Sequence, residues 1–179
     1  MTLFQYDYYR MTGTKYVPGG VKCLAVVTFS HQIRFMRCWR KAHEKMTLYR
    51  RWQLYRFSRK YGLEISPQAE IGKGLYLGHP YNITVSGGTK IGNNCNLHKG
   101  CTIGRENRGK RKGDPTIGDR VSVGINATVI GNITIGSDVM IAPGALVNFD
   151  VPDHSIVIGN PGVIHHRDSA TEGYIGFLV

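Results

Sequence analysis

His79 is well suited to move a proton at neutral pH, because an ordinary imidazole changes charge in that range. It stands two residues after Leu77, in the stretch Leu75-Tyr-Leu-Gly-His-Pro80. A histidine there could take the proton of an acceptor hydroxyl as it attacks; the competing reading is a histidine that is merely exposed. Glu64 lies fifteen residues earlier, and a carboxylate stacked beside the ring would orient it and stabilise its imidazolium form. His98 could bind an acceptor or fill an interface. The run Arg105 to Lys112 holds five bases and one acid, Glu106, which suits phosphate groups as well as it suits a solvated loop. His165-His166 is a weak metal pair, and a three-histidine zinc site across subunits lacks its third ligand, so no metal is expected. Gly72-Lys-Gly74 lacks the spacing and ending of a phosphate loop.

Residues this far apart can meet only if the backbone returns them to one place, and the second half of the chain has a period that does so. Aliphatic residues fall at Ile65, Ile71, Leu77 and Ile83, resume at Ile91, Leu97 and Ile103, and resume again at Ile117, Val123, Val129, Ile135, Ile141 and Val147. Seven of the thirteen are followed directly by Gly. A period of six fits neither an amphipathic helix nor an alternating strand. It is the hexapeptide pattern of a parallel β-helix, in which three hexads make one triangular coil of about 18 residues. Anchors point inward, and stacked coils bury a continuous core. Tight corners explain the glycine content, 23 of 179 residues or about 13%, against roughly 7% ordinarily. Cys95 and Cys101 fall at small inward positions.

Two interruptions break the count. Ile83 to Ile91 carries two extra residues, and a regular coil then sets position 64 under Asn82. Ile103 to Ile117 carries eight extra, an excursion at 105–116, and such loops often bear function. The first sixty residues read differently. Phe29, Ile33, Met36, Trp39, Ala42, Met46, Tyr49, Trp52 and Tyr55 recur at helical spacing, predicting one apolar stripe on two helices broken near Thr47. The stripe would pack on the first coil or on a partner subunit and cover a sheet edge.

The formal charge is +11, and residues 20–60 hold eleven bases against one acid, Glu44. Such a balance suits phosphate-bearing partners, although nothing resembles a base-reading module, so no nucleic acid is expected. The apolar stretch Cys23 to Ile33 is too short to span a bilayer. No secretory signal is read at residues 1–20, and the four cysteines show no C-x-x-C or disulfide spacing. A reducing cytoplasm is therefore expected, with the basic helices in peripheral contact with anionic lipid on the inner face of the membrane.

The stretch Gly62 to Pro161 resembles the hexapeptide-repeat acyltransferases, and among them the serine acetyltransferase-like branch. The matching motifs are Gly62-Leu-Glu-Ile-Ser-Pro67, Gly78-His79, Leu97-His-Lys-Gly-Cys-Thr-Ile-Gly104, Ile117-Gly-Asp119, Gly131-Asn-Ile-Thr-Ile-Gly136 and Gly159-Asn-Pro161. The resemblance implies a mainly β fold, a left-handed parallel β-helix with an N-terminal helical segment. It also implies acetyl-CoA as acyl donor, a hydroxyl as acceptor, and a homotrimer with its site between subunits. It assigns catalysis to His79, with Glu64 where the branch has Asp. The backbone of Gly104 would face the thioester, Ile125 and Pro143 would line the pantetheine channel, and Arg105, Arg108 and Lys110 would meet the CoA phosphates. The branch holds its amino acid with an Asp before the catalytic His and an Arg-His pair before the loop Pro. Here those positions are Gly78, Gly113 and Asp114. Asp114 would repel a carboxylate, whereas Asn82, His98 and Asp114 could hydrogen-bond a sugar. The loop also resembles that of acetyltransferases of capsule and exopolysaccharide synthesis.

The expectation is therefore an acetyl-CoA-dependent O-acetyltransferase acting on a sugar or glycan intermediate of a surface polysaccharide pathway. The alternatives are a serine O-acetyltransferase of cysteine biosynthesis and a non-catalytic trimeric scaffold. The expected organisation is a helical segment at 1–61, a β-helix domain at 62–164 and a tail at 165–179.

Overall fold

A computed structural model describes residues 1–179. Four helices come first: α1 (Leu3–Thr12), α2 (Val21–Phe29), α3 (His31–Glu44) and α4 (Leu48–Tyr61). Short strands follow: β1 (Glu64–Ile65), β2 (Glu70–Ile71), β3 (Tyr76–Gly78), β4 (Thr84–Val85), β5 (Lys90–Ile91). Then come β6 (Asn96–His98), β7 (Thr102–Gly104), β8 (Thr116–Ile117), β9 (Val121–Val123) and β10 (Thr128–Ile130). The last are β11 (Thr134–Ile135), β12 (Val139–Ile141), β13 (Leu146–Val147), β14 (Ser155–Ile158) and β15 (Val163–His166). No helix is long and apolar enough to cross a membrane.

The strands form the three faces of a left-handed parallel β-helix of about five coils. One face runs β1-β4-β7-β10-β13, the second β2-β5-β8-β11, and the third β3-β6-β9-β12-β14, where β15 adds an antiparallel edge. Leu97 lies over Leu77, Ile117 over Ile91, Val129 over Ile103 and Ile141 over Val123. These anchors are all buried in one core, as a period of six requires.

The register corrects the first interruption. Val85, not Ile83, pairs with Ile65, so Glu64 lies opposite Thr84 rather than Asn82. One corner column runs Gly62, Asn82, Gly100, Asn126 and Gly144, all with positive φ. Gly78 pairs with His98, leaving one residue before Gly100 but three before Asn82. The two extra residues therefore sit in the His79-Pro80-Tyr81 corner. Ile83 and Val85 are both aliphatic and both buried, so hydropathy alone could not choose between them.

The helices close the open end of the coil stack. Phe35, Met36 and Trp39 of α3 join the β-helix core. The Trp39 indole N–H donates to the carbonyls of Ile65 (3.1 Å) and Ser66 (3.3 Å). Arg40 donates to the carbonyls of Ile71 and Gly72 (2.6 Å each) and bridges to Asp7 of α1 at 2.7 and 3.0 Å. Asp7 in turn accepts from the Leu75 N–H at 2.9 Å. Edge groups that would lack a partner are thus met by side chains.

The predicted stripe holds only in part. Ile33, Met36, Trp39 and Ala42 are buried, whereas Tyr49, Trp52 and Tyr55 are exposed. Thr47 caps α4 by accepting from the Arg50 N–H. Extended backbone at Lys45 and at Thr47 breaks the helical phase, so α4 turns Leu54, Phe57 and Tyr61 inward instead.

The tail returns across the coils past Asp138, Asn96 and Asn94. Asp138 accepts from Thr171 N–H and Oγ1–H, from Ala170 N–H and from His154 Nδ1. Burial opposes ionisation of Asp138, but the Thr171 and His154 contacts outweigh it and hold the carboxyl below the usual range. Asn96 donates to Tyr174 O, and Asn94 exchanges two hydrogen bonds with Val179. Arg10 of α1 joins this seam through Gly74 O, Asn96 Oδ1 and Gly176 O.

Replacing Asp7 with Ala would leave Arg40 buried with its charge unmatched. Asp7→Ala is expected to cost about 3–5 kcal/mol, read as a lowered urea midpoint for the whole molecule.

Candidate active site

His79 follows β3 and is exposed at the widened corner. Its φ is +49° and that of Asn82 is +55°, in a region that a residue with a Cβ seldom occupies. The Tyr81 N–H folds back onto the His79 carbonyl at 2.8 Å. Strain of this kind is kept where the surroundings enforce it, and it gathers at functional sites. Tyr81 lies edge-on to Tyr61 at 5.7 Å, and the His31 ring stacks on Tyr61 at 4.5 Å. His31 Nε2 is buried without a hydrogen-bond partner. Burial, with smaller contributions from Arg34 and Lys60, lowers the His31 pKa. Sequence reasoning missed this brace, because His31 lies in the helical segment and carries no periodic signal.

His98 is half-buried one coil above Gly78. Burial lowers its pKa, and the neighbouring His79 lowers it further. A Cβ at Gly78 would come within 2.3 Å of His98 Nδ1. The missing acid before His79 thus has a steric cause, since the imidazole of His98 fills that space.

Glu64 is exposed and its Oε1 accepts from Ser58 Oγ of α4 at 2.9 Å. No hydrogen bond joins it to His79 within one chain. Asn82 is exposed at the same corner as His79, its N–H donating to Tyr61 O. Ile125 and Pro143 are exposed one coil apart, and the Ile125 carbonyl accepts from the Gly144 N–H at 2.8 Å. At Gly104 a Cβ would meet only side-chain carbons at 3.7 Å or beyond, so nothing inside the chain demands glycine there.

The 105–116 excursion is ordered at its root. Glu106 and Gly113 exchange two backbone hydrogen bonds of 2.9 Å. Asp114 receives Arg105 at 2.6 Å and Ser86 Oγ at 2.6 Å. Asp114 is 9% exposed and Arg105 49%. Arg108 and Lys110 are exposed at the tip. The structure thus gathers His79, His98 and Asn82 at one corner, and Arg105 with Asp114 at the next. His165 and His166 lie on the exposed edge strand β15. Cys95 and Cys101 are buried free thiols, each pushed up to about 12 by burial.

Comparison with known proteins places this geometry. Residues 114–148 match the bacterial transferase hexapeptide (six repeats). Serine acetyltransferase 2 of Arabidopsis thaliana is 42% identical over 108 residues, covering 59% of this chain and 33% of that protein. The Staphylococcus xylosus serine acetyltransferase is 37% identical over 112 residues, covering 63% and 52%. The chain thus matches only a third to about half of the length of these relatives. The Neisseria gonorrhoeae serine acetyltransferase superposes with a TM-score of 0.76 at 27% identity, over 92% of this chain and 65% of that one. The Brucella abortus enzyme gives 0.78 at 25%, over 94% and 70%.

The chain carries a hexapeptide-repeat left-handed β-helix and is serine acetyltransferase-like: its sequence and structure neighbours alike are acyltransferases of that kind.

These relatives overturn the expected sugar acceptor and the surface polysaccharide pathway, because sequence and structure neighbours alike are serine acetyltransferases. The argument for a sugar counted Asp114 as a free anion that would repel a carboxylate. Asp114 is instead neutralised by Arg105 and bonded to Ser86, and a paired carboxylate repels little.

Gly78→Asp is expected to destabilise the fold by about 1–3 kcal/mol, as overpacking does. Gly78→Asp combined with His98→Ala should cost less than the sum of the two single changes. Urea midpoints of the four proteins measure this, and additive costs would contradict the steric account.

Proposed function

We propose that this chain is an acetyl-CoA-dependent serine O-acetyltransferase that works as a homotrimer, with His79 as general base. The observation that carries the reading is the two-residue widening that lifts His79, in a strained conformation, out of an otherwise regular corner. The β-helix relatives support the choice of serine, and one of them, from Neisseria gonorrhoeae, was solved in complex with serine.

In this mechanism His79 takes the hydroxyl proton as the serine oxygen attacks the thioester carbonyl. The tetrahedral oxyanion is held by backbone at Gly104, where the open space admits close approach. Collapse breaks the carbon–sulfur bond, and the imidazolium returns its proton to the departing CoA sulfur. Glu64, fixed by Ser58, lies on the first coil, where a neighbouring subunit could bring a second set of groups. His98, its pKa lowered, stays neutral beside the base and can accept or donate a hydrogen bond. The outward half of the Arg105 guanidinium, held rigid by Asp114, suits the serine carboxylate, and Arg108 and Lys110 suit the CoA phosphates.

Thiol release from acetyl-CoA, with L-serine beside a panel of sugars, tests the reading, and O-acetylserine should be the product. His79→Ala is expected to lower kcat by at least about a hundredfold with acetyl-CoA binding retained. Arg105→Ala should raise KM for serine about tenfold or more, since a charged hydrogen bond is lost, with KM for acetyl-CoA little changed. Absence of serine-dependent thiol release would reject the proposal.

A further inference from the structure

The helical cap carries a groove that acetyl transfer does not use. It lies between α2 and α4, floored by α3, with a volume of about 860 Å³. Arg34, Arg37, Lys41, Arg50, Arg56 and Lys60 line it, and no acidic residue does. None of the six is paired with a carboxylate. The Arg56 guanidinium lies 5.0 Å over the Trp52 ring. Leu24 and Val27 line the α2 side, and the apolar surface continues past the groove through exposed Val21, Phe29 and Leu48.

We propose that this groove and the exposed face of α2 dock onto a bilayer containing anionic phospholipid. Lipid phosphates would meet the six cations, while Trp52, Leu24 and Phe29 enter the boundary between headgroups and acyl chains. The argument is one of charge and polarity together. Basic side chains interleaved with Trp and aliphatic residues are what interfacial helices present, and juxtamembrane bases are drawn to anionic leaflets. A second copy of this surface fits poorly. Residues 20–60 contain a single acid, Glu44, so two such faces would oppose like charges. A wholly polar polyanion would leave Val21, Leu24, Phe29 and Leu48 in water.

The chain has two tryptophans, and Trp39 is fully buried while Trp52 is 50% exposed. A change of intrinsic fluorescence on docking therefore reports Trp52. The full chain is sedimented with vesicles of phosphatidylcholine, with and without phosphatidylglycerol, at low and high salt. Binding is expected at least about tenfold tighter with phosphatidylglycerol, weakening with salt, with a blue shift of emission that Trp52→Phe removes. Lys41→Glu with Arg56→Glu, both at exposed positions, should weaken binding about tenfold or more while serine-dependent thiol release is unchanged. Equal partition into both vesicles would overturn the proposal, as would unchanged binding by the double variant. So would an assembly that shrinks in light scattering with the double variant while no vesicle binds, which would assign the groove to a second copy. An acidic peptide that binds the groove when vesicles do not would overturn it too.

Discussion

Each coil of this molecule is held by parallel hydrogen bonds to the coil below, and that contact leaves little freedom. An inward position must lie over another inward position, because a slip of one residue would turn every aliphatic anchor to the outside. Extra residues therefore cannot be absorbed within a strand and must be expelled at a corner. Both irregularities follow this rule. Two residues leave at His79-Pro80-Tyr81 and eight leave at 105–116, and these two places hold most of the candidate chemistry. The regular wall is what makes the irregular corners rigid.

The same wall creates a problem at its ends, where the first coil has no neighbour below. The answer here is polar as well as apolar. Trp39 and Arg40 carry hydrogen-bond donors to the exposed carbonyls of the first coil, and Asp7 accepts a backbone N–H while balancing the Arg40 charge. The helices are thus fastened to the β-helix by matched groups and not only by apolar burial. A fastening of this kind also fixes where α4 and Ser58 stand relative to Glu64.

The hexad anchors were legible in the sequence, because an inward site in a narrow prism accepts little but an aliphatic side chain. From that followed the fold, the corner position of His79 and the loop excursion. The exact place of the two-residue widening was not legible, since Ile83 and Val85 are interchangeable to any hydropathy reading. The inward half of the helical stripe, Ile33 to Ala42, was legible, but its continuation through Tyr49 and Trp52 was not, because the extended backbone between α3 and α4 resets the helical phase. Asp7 and Arg10 were invisible, as their partners lie far along the chain. Asp114 shows the same limit at the site. A sequence counts a charge but does not say which neighbour has already neutralised it, and the preference for a sugar rested in part on that missing fact.

The root of the 105–116 loop is closed by the Arg105–Asp114 pair and the two backbone bonds between Glu106 and Gly113. The ends of its tip are thereby held together before the tip adopts any shape. Doubling the length of such a closed loop adds only about 0.6 kcal/mol of closure entropy. The segment Asn107 to Lys112 is in effect a handle: an engineer could lengthen it while keeping Arg108 and Lys110, and the prism beneath would keep its register.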